Sequence, residues 1–365
     1  TDKLINAIDK FNLIKISTQK NNHLERMNSK KIVITGGAGF IGSELGHRLN
    51  KKGYEVILID NLSFGYIENL IIDGKVFGKF ILKDIRDNCQ ELADIFKDAY
   101  CIFHFAAISA LPVCQSDPGM AISINVAGTA NVLEAARRAN ARRVVFASTS
   151  AIYERNKNFP SKEEDIADPY LVYSVSKINA EKICKAFSDV YGMNIVITRY
   201  YNVYGPNQDS RRKSPPFTIY VIRELLNKRT PVLHSDGTQK RDYVYIEDIN
   251  DLNILCMEHP KAVGEIFNVA SGETYSVNEI YNIISDELKT NIKPVYKDST
   301  KFWQDYSELS NGNYPIKPEV IRDEVNKFTL GDNTKAKEIL GWNPSISIRE
   351  GLRRLIEAAK EQRTQ

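Results

Sequence analysis

Short apolar segments alternate with longer amphipathic segments from residue 31 onward, and this alternation sets the expected fold. The apolar segments are rich in β-branched and aromatic side chains, which suit strands that are buried on both faces of a sheet. We predict strands at residues 31–35, 54–60, 79–82, 100–106, 142–148 and 194–200.

Helical patterns occupy the stretches between these strands. Their apolar positions recur three and four residues apart, as they do on one face of a helix. We predict helices at residues 41–51, 92–96, 121–139 and 172–191. Because strands and helices alternate, the sequence predicts an α/β fold built on a doubly wound parallel sheet.

The alternation weakens after Asn202, where proline and glycine interrupt shorter segments before a last helix near 348–360. We therefore expect a first domain over residues 31–202. A smaller C-terminal α/β lobe over 203–365 should mainly bind substrate, although segments of about 240–270 are expected to return to the first domain. Residues 1–30 are interpreted as an N-terminal extension, with Met27 as a candidate natural start.

The composition is that of an ordinary globular protein, with 42% hydrophobic residues, 26% charged residues and a formal net charge of +3. These values argue against global disorder and give no strong reason to expect a nucleic-acid or membrane partner. No apolar run approaches the length of a membrane-spanning helix, and the order of residues in a secretory signal is missing. We therefore expect a cytoplasmic protein.

The cysteines and histidines do not indicate a metal site. The five cysteines are scattered and never form a CxxC pair, which favours reduced thiols. The five histidines lack the spacing of zinc ligands. We expect no metal, and we interpret His104, at the end of an apolar strand, as a packed structural residue.

The segment TGGAGFIG (35–42) joins the first predicted strand to the first predicted helix. Gly37, Gly39 and Gly42 satisfy the GxGxxG pattern, in which glycine allows a tight turn and lets the backbone approach a pyrophosphate at the helix N-terminus. Asp60 ends the next strand about twenty residues later, where a carboxylate can accept hydrogen bonds from ribose hydroxyls. Together these features predict a Rossmann-type domain that binds a dinucleotide.

Asp60 also indicates which dinucleotide is bound. Its charge would repel a 2′-phosphate, and the residues that follow it directly are not arginine, so the sequence favours NAD over NADP. Asp84 follows the third strand and has two interpretations that we leave open. It either accepts a hydrogen bond from the adenine amine or caps the end of the strand.

Tyr173 and Lys177 lie four residues apart on one face of a predicted helix. The lysine charge, together with that of the nicotinamide, should lower the pKa of the tyrosine, so that its phenolate can take a proton from a substrate hydroxyl. The YxxxK spacing is common and carries little weight alone. Combined with the glycine pattern and with Ser148, Thr149 and Ser150 after a strand, it predicts a catalytic site.

From Lys31 to about Glu357 the chain resembles the extended short-chain dehydrogenases/reductases, the family of the UDP-hexose 4-epimerases. The stretches that carry the resemblance are TGGAGFIG (35–42), DIR (84–86), HFAA (104–107), NVAGTANVLEAAR (125–137), STSAIY (148–153), YSVSK (173–177), RYYNVYGPNQ (199–208), RDYVYIEDI (241–249), FNVASGE (267–273) and LGWNP (340–344). The resemblance covers nearly all of the chain after the extension.

The resemblance implies that Thr149 hydrogen-bonds the reacting sugar oxygen, that Tyr173 is the general base, and that Lys177 tunes Tyr173 and holds the nicotinamide ribose. The implied cofactor contacts are Gly36, Gly39, Phe40, Ile41, Gly42, Asp60, Asn61, Asp84, Ile85, Ala106, Ala107, Asn125, Tyr173 and Lys177. The implied substrate contacts are Thr149, Ser150, Asn202, Arg241 and Arg322. The two arginines would grip the diphosphate through paired, charge-assisted hydrogen bonds, whereas we interpret Arg211 and Arg212 as members of surface salt bridges.

The resemblance also orders the possible reactions, which all begin with oxidation at C4 of a nucleotide sugar. A 4,6-dehydratase of this family uses acidic residues directly after the active-site threonine, and here those positions hold Ser150 and Ala151. An epimerase needs no further acid or base, so we rank it first. A dehydratase ranks second, with a decarboxylase beside it, and a non-catalytic nucleotide-binding protein is the remaining alternative.

Two residues depart from the family pattern. Glu154 stands where glycine is usual, and Cys114 stands in a loop position often held by serine. We interpret Glu154 as an inert loop residue, with a relocated catalytic acid as the alternative.

The family pairs its subunits through the helices near 121–139 and 172–191, which implies a homodimer. A role in surface-polysaccharide biosynthesis is the natural expectation, whereas the nucleotide and the sugar are left open.

Overall fold

The computed structural model describes residues 30–364, so the expectations about the N-terminal extension and Met27 lie outside the described residues. Contacts divide the described chain into two compact units. The first unit contains residues up to 108 together with 123–147 and 180–196, and the second contains all other residues. These units interleave along the chain. The division of cofactor and substrate binding near residue 202 remains a prediction.

The described chain contains a central seven-stranded parallel sheet in the order β12-β8-β7-β6-β1-β2-β5. The strands are β1 (Lys31–Thr35), β2 (Glu55–Asp60), β3 (Ile71–Ile72), β4 (Lys75–Val76), β5 (Lys79–Leu82), β6 (Ala99–His104), β7 (Val144–Thr149), β8 (Ile195–Tyr200), β9 (Asn202–Tyr204), β10 (Val232–His234), β11 (Lys240–Tyr245), β12 (Ile266–Val269), β13 (Thr274–Ser276) and β14 (Val295–Lys297). The predicted α/β class with a Rossmann-type parallel sheet is confirmed.

Burial along the strands explains why short apolar runs predict them. Ile32, Val33 and Ile34 of β1 are fully buried, and all six positions of β8 are buried. Such strands lie inside the sheet and are covered on both faces, so they carry no alternation of polar and apolar residues. β5 lies at the edge of the sheet and is only partly buried.

The helices are α1 (Phe40–Lys51), α2 (Cys89–Phe96), α3 (Leu111–Ser116), α4 (Pro118–Ile122), α5 (Thr129–Arg138), α6 (Val172–Tyr191), α7 (Phe217–Leu226), α8 (Ile246–Glu258), α9 (Val277–Glu287), α10 (Ser307–Ser310), α11 (Pro318–Asn326), α12 (Thr334–Leu340) and α13 (Ile348–Thr364). The helix predicted at 172–191 is α6 in full. The helix predicted at 121–139 is instead a succession of α4, a π-helical stretch (Ser123–Gly128) and α5.

The second unit contains smaller sheets of its own. One has the order β13-β11-β9, and β10 pairs with β14. The turn from β13 into α9 is a capping box, because the Ser276 hydroxyl accepts from the Glu279 amide while the Glu279 carboxylate accepts from the Ser276 amide. An apolar cluster around Trp303, Tyr306 and Leu171 lies in the same unit.

Four of the five cysteines are buried, and Cys89 is partly exposed. Cys101 and Cys184 belong to the first unit, whereas Cys114 and Cys256 belong to the second. Within residues 30–364, no helix is long and apolar enough to cross a membrane. The same residues contain no group of three or more histidine, cysteine, aspartate or glutamate side chains placed to hold a metal ion.

Candidate active site

The glycine turn between β1 and α1 leaves no room for a Cβ at three of its positions, Gly36, Gly37 and Gly42. Gly36 has a positive φ of 71°, and a Cβ there would lie 2.7 Å from the Ala106 nitrogen. A Cβ on Gly42 would lie 2.3 Å from the Gly36 carbonyl oxygen. The turn is therefore closed tightly over itself and against the loop after β6, as the GxGxxG pattern predicts.

The open side of this turn presents the N-terminus of α1. Gly39 is the N-cap residue and has no side chain to bond the first-turn amides, and a Cβ on it would meet only the Gly36 oxygen, at 3.2 Å. The amides of Phe40 and Ile41 belong to the first turn, which lacks intrahelical acceptors. An anionic group can therefore approach the backbone here, and the geometry fits the pyrophosphate of a dinucleotide.

Asp60 ends β2 beside the same turn. Its carboxylate accepts hydrogen bonds from the Ala38 amide at 3.0 Å and the Leu62 amide at 2.8 Å. Burial raises the pKa of Asp60, whereas these amides oppose the increase. Two amide bonds do not fill the four acceptor sites of a carboxylate, so Asp60 can still accept from a ribose.

Asn61 and Asp84 connect the ends of β2 and β5. The side-chain amide of Asn61 donates to the Asp84 carboxylate at 2.8 Å. The Arg86 guanidinium donates to both Asp84 oxygens, at 2.8 and 2.9 Å. The arginine lowers the pKa of Asp84 to about 2. The neighbouring Ile85 is buried. Asp84 also accepts from the Arg86 amide at 2.8 Å, as a residue capping the strand end would, and a contact with adenine stays a prediction.

Asn125 and His104 hold the loop after β6 and its surroundings. The Asn125 side chain accepts from the Ile108 amide at 2.9 Å and donates to the Ile108 carbonyl at 3.0 Å. It thereby fixes the loop that contains Ala106 and Ala107. His104 is buried, and its ring nitrogens contact the hydroxyls of Thr35 and Thr129, as expected for a packed structural residue.

The second unit brings Thr149 and Tyr173 together. Thr149 ends β7 and caps a short 3₁₀ helix (Ser150–Tyr153), because its hydroxyl accepts from the Ala151 amide at 3.1 Å. Tyr173 lies in the first turn of α6, and its phenol lies close enough to the Thr149 side chain for Thr149 to lower the pKa of Tyr173. Ser150 follows Thr149 directly and is partly buried.

In the protein without cofactor, burial outweighs the neighbouring groups in setting the pKa of Tyr173. Burial raises the pKa of Tyr173 to about 12, although Thr149 and the Arg212 charge act to lower it. Lys177 is 3% exposed, and its ammonium is close enough to lower the pKa of the buried Cys114 thiol, which burial raises to about 12. Without a bound cofactor, Tyr173 is therefore protonated at neutral pH and must lose its proton before it can act as a base.

Arg212 was not predicted as a site residue. It lies in the connection after β9 and donates to the Ser214 carbonyl at 2.6 Å. Its charge acts to lower the pKa of Tyr173, and its interpretation as a member of a surface salt bridge stays a prediction. The sequence spacing does not predict an interaction of Arg212 with Tyr173, because it depends on the path of the loop after β9.

The predicted substrate residues are grouped around β11. Asn202 on β9 donates to the Asp242 carbonyl at 2.8 Å. The Arg241 guanidinium donates to the carbonyls of Glu324 and Val325, at 2.9 and 3.0 Å, in the last turns of α11. Arg241 is therefore bound to the helix that carries Arg322, whose side chain is exposed.

Glu154 connects the 3₁₀ helix after Thr149 to the start of α6. Its carboxylate accepts from the amides of Tyr170 at 2.9 Å and Leu171 at 3.1 Å, and from the Ser174 hydroxyl. Burial raises the pKa of Glu154. Gln115, which sequence reasoning missed, adds a bond from the Val172 amide at 3.3 Å. Glu154 therefore has a structural role that its interpretation as an inert loop residue did not include.

Comparison with known proteins gives extensive similarity. The family model described as GDP-mannose 4,6 dehydratase matches residues 33–355. A putative UDP-glucose 4-epimerase of Methanocaldococcus jannaschii is 32% identical, over 90% of this chain and 98% of the relative. A UDP-N-acetyl-alpha-D-glucosaminuronate decarboxylase of Bacillus cytotoxicus is 31% identical, over 91% and 98%.

Solved structures share the fold along most of the chain. A UDP-glucose 4-epimerase of Thermotoga maritima, solved with UDP-glucose, has a TM-score of 0.80 at 31% identity and covers 91% of this chain and 99% of its own. A UDP-glucuronic acid 4-epimerase of Bacillus cereus, solved with UDP-glucuronic acid and NAD, has a TM-score of 0.76 at 26% identity, with the same coverage. The resemblance carried by the motifs is thereby confirmed. The chain belongs to the GDP-mannose 4,6 dehydratase family, within the extended short-chain dehydrogenases/reductases.

Proposed function

We propose that the protein is an NAD-dependent 4-epimerase of a nucleotide-diphosphate sugar. The observation that carries the proposal is the approach of the Thr149 side chain to the Tyr173 phenol, with Lys177 on the same helix as Tyr173. The epimerases among the similar proteins support it. So do Ser150 and Ala151, which follow Thr149 and offer no acid for a further elimination.

In this mechanism Tyr173 takes the proton of the sugar 4-hydroxyl and later returns it. Thr149 donates its hydroxyl to the reacting oxygen, since its own acceptor site already binds the Ala151 amide. Lys177 stabilises the phenolate by its positive charge. Bound NAD would accept the hydride from C4 and give it back to the opposite face of the 4-keto sugar after that sugar has turned over.

The proposed cofactor site follows the glycine turn and the ends of β2, β5 and β6. It comprises Gly36, Gly39, Phe40, Ile41, Gly42, Asp60, Asn61, Asp84, Ile85, Ala106, Ala107 and Asn125, with Tyr173 and Lys177 at the nicotinamide. The proposed substrate contacts are Thr149, Ser150, Asn202, Arg241 and Arg322. On this proposal residues 31–202 mainly bind cofactor and 203–365 mainly bind substrate, and β12 is a returning segment because it pairs with β8.

A decarboxylase or a 4,6-dehydratase is the second candidate. The similarity to the Bacillus cytotoxicus decarboxylase favours the former, and the name of the matching family model favours the latter. Both reactions share the initial oxidation at C4. We rank them second because Glu154, the acidic side chain nearest in sequence to Thr149, already accepts three hydrogen bonds from the start of α6.

We further propose a cytoplasmic homodimer that acts in surface-polysaccharide biosynthesis. The helices near 121–139 and 172–191 would form the dimer contact, and the exposure of Ile122, Val190 and Tyr191 at 41%, 71% and 55% supports this. Light scattering after size-exclusion chromatography should then give twice the chain mass. A Val190→Asp substitution should give monomers if this surface forms the contact, whereas an unchanged dimer would contradict it.

The reaction is tested by incubating the purified protein with NAD and a panel of UDP-, GDP- and dTDP-sugars, followed by NMR and mass spectrometry. A new stereoisomer at unchanged mass is the expected result, and it identifies the sugar. Loss of water would establish a dehydratase, and loss of carbon dioxide would establish a decarboxylase. Tyr173→Phe is the matched control, because conversion that persists in this variant would not come from the proposed site.

A further inference from the structure

Glu154 lies at one end of a short segment that begins with Thr149. The 3₁₀ helix between them is capped by Thr149 at its start and followed directly by Glu154. The segment has only a few residues to move, so the position of Glu154 limits the position of Thr149. Whatever holds the Glu154 side chain therefore acts on the orientation of the Thr149 hydroxyl.

The Glu154 side chain is held by the start of the helix that carries Tyr173. One carboxylate oxygen accepts from the amides of Tyr170 and Leu171, and the other accepts from the Ser174 hydroxyl. Amides at a helix start lack intrahelical acceptors, and a negative charge there is favoured by the helix dipole. Glu154 therefore holds the two residues just before α6 and, through Ser174, the first turn of the helix itself.

The positions of Thr149 and of Tyr173 thus both depend on one carboxylate. Thr149 is connected to Glu154 through the backbone of the 3₁₀ helix, and Tyr173 is connected to it through the first turn of α6. Ser174, which binds Glu154 directly, is the residue next to Tyr173. A small displacement of reacting groups is costly in catalysis.

We propose that Glu154 is a positioning residue, which holds Tyr173 against Thr149 in the reactive geometry and itself moves no proton. This inference rests on the proposed function of the site. Glu154 stands where the family pattern has glycine. As a positioning residue it differs from a relocated catalytic acid, because it transfers no proton.

Two substitutions at this position distinguish the roles. The side-chain carbonyl that Glu154→Gln introduces can still accept from the Tyr170 and Leu171 amides, and Ser174 can turn its hydroxyl to accept from the new side-chain amide. Glu154→Ala leaves all three donors without this acceptor. We expect kcat of Glu154→Ala to fall about 10- to 100-fold at nearly unchanged KM, and kcat of Glu154→Gln to stay within about threefold of wild type.

Other outcomes overturn the proposal. If both variants lose activity equally, Glu154 transfers a proton, because glutamine preserves the shape but cannot do so. If both keep full activity, Glu154 has no positioning role. Glu164→Ala, an exposed glutamate in the same connection, is the control and should leave kcat unchanged. Circular dichroism and thermal unfolding show whether Glu154→Ala is folded, and Ser174→Ala, which removes one bond only, should give a smaller loss of kcat in the same direction.

A second readout separates this inference from the proposed function. The ionisation of Tyr173 is followed by NMR of ¹³C-labelled tyrosine in the NAD-bound protein, with Tyr173→Phe to assign the signal. Because the nearby Thr149 side chain lowers the pKa of Tyr173, Glu154→Ala should raise this pKa and Glu154→Gln should not. If the wild type converts no sugar, the proposed function fails, yet this shift still supports the positioning role; an identical Tyr173 pKa in all three proteins overturns it.

Discussion

Tyr173 combines two properties that oppose each other. Its phenol is buried enough for its pKa to rise to about 12 in the protein alone, yet the proposed reaction needs it as a base near neutral pH. Lys177 on the same helix and the positive charge of oxidised NAD are the groups that can reverse this increase. Tyr173 is therefore expected to become an effective base only when the cofactor is bound.

Removal of the phenol should thus abolish chemistry without abolishing binding. We expect Tyr173→Phe to lower kcat about 10²- to 10⁴-fold, because it removes general base catalysis, while NAD affinity changes little. Steady-state kinetics and titration with NAD measure the two effects. Tyr314→Phe, at a tyrosine that is 97% exposed, is the control and should behave as wild type; an active Tyr173→Phe would assign the base elsewhere.

Sequence alone identified the residues whose function depends on local spacing. Tyr173 and Lys177 share one helix, and the glycine turn is continuous in the chain, so both could be read from the residue order. Arg212 and Gln115 approach the start of α6 from other segments. Their placement depends on tertiary folding, which residue spacing does not report.

At the scale of elements, two glycines of the turn between β1 and α1 have different roles. Gly42 is needed for the turn to close, whereas Gly39 leaves space for a ligand. A Cβ on Gly42 would overlap the Gly36 carbonyl at 2.3 Å, whereas a Cβ on Gly39 would lie 3.2 Å from the same oxygen. The first substitution requires the backbone to move. The second requires a smaller adjustment but adds a methyl group on the side where an anion is expected to approach.

We therefore expect different results for these two glycines. Gly42→Ala should lower both the melting temperature and NAD affinity, whereas Gly39→Ala should mainly weaken NAD binding, by about tenfold or more for a loss of ~1.4 kcal/mol. Calorimetric titration and thermal unfolding measure these changes. Gly119→Ala, where a Cβ would meet nothing nearer than 3.7 Å, should change neither quantity. Equal NAD affinity in wild type and Gly39→Ala would contradict the proposed cofactor site.

The predicted elements succeeded where one pattern dominates a segment. α6 has the predicted bounds, and β8 is buried at all six positions. The stretch predicted as a helix at 121–139 is helical up to residue 138, but a π-helical segment (Ser123–Gly128) separates its two α-helical parts. A Cβ on Gly128 would lie 2.6 Å from the Ile85 side chain, so a distant residue determines the packing at this point.

At the scale of the whole molecule, buried phenols should make stability sensitive to alkaline pH. Burial raises the pKa of Tyr243 to about 12 and also raises the pKa of Tyr200, Tyr201 and Tyr204. A tyrosine whose pKa is higher in the folded than in the unfolded state contributes stability that is fully present below its unfolded pKa, about 10. That contribution is lost as the pH rises toward 12.

We expect the free energy of unfolding to decrease steeply above pH 10 and the buried phenols to ionise together with unfolding. Absorbance at 295 nm and far-ultraviolet circular dichroism, followed along a pH titration, should then show coincident transitions. Full ionisation of these tyrosines while the dichroism remains native would contradict their burial. Tyr243→Phe should reduce the slope of stability against pH in this range, because it removes one of the linked protons.

The burial of cysteines in both units has a consequence for observing motion. A thiol reagent reaches a buried sulfur only when the surrounding structure opens, so its modification rate measures the frequency of local opening. Cys101 and Cys184 would report on the first unit, and Cys114 and Cys256 on the second. The wild-type chain thus contains internal probes with which the opening of each unit can be timed separately, without the addition of any label site.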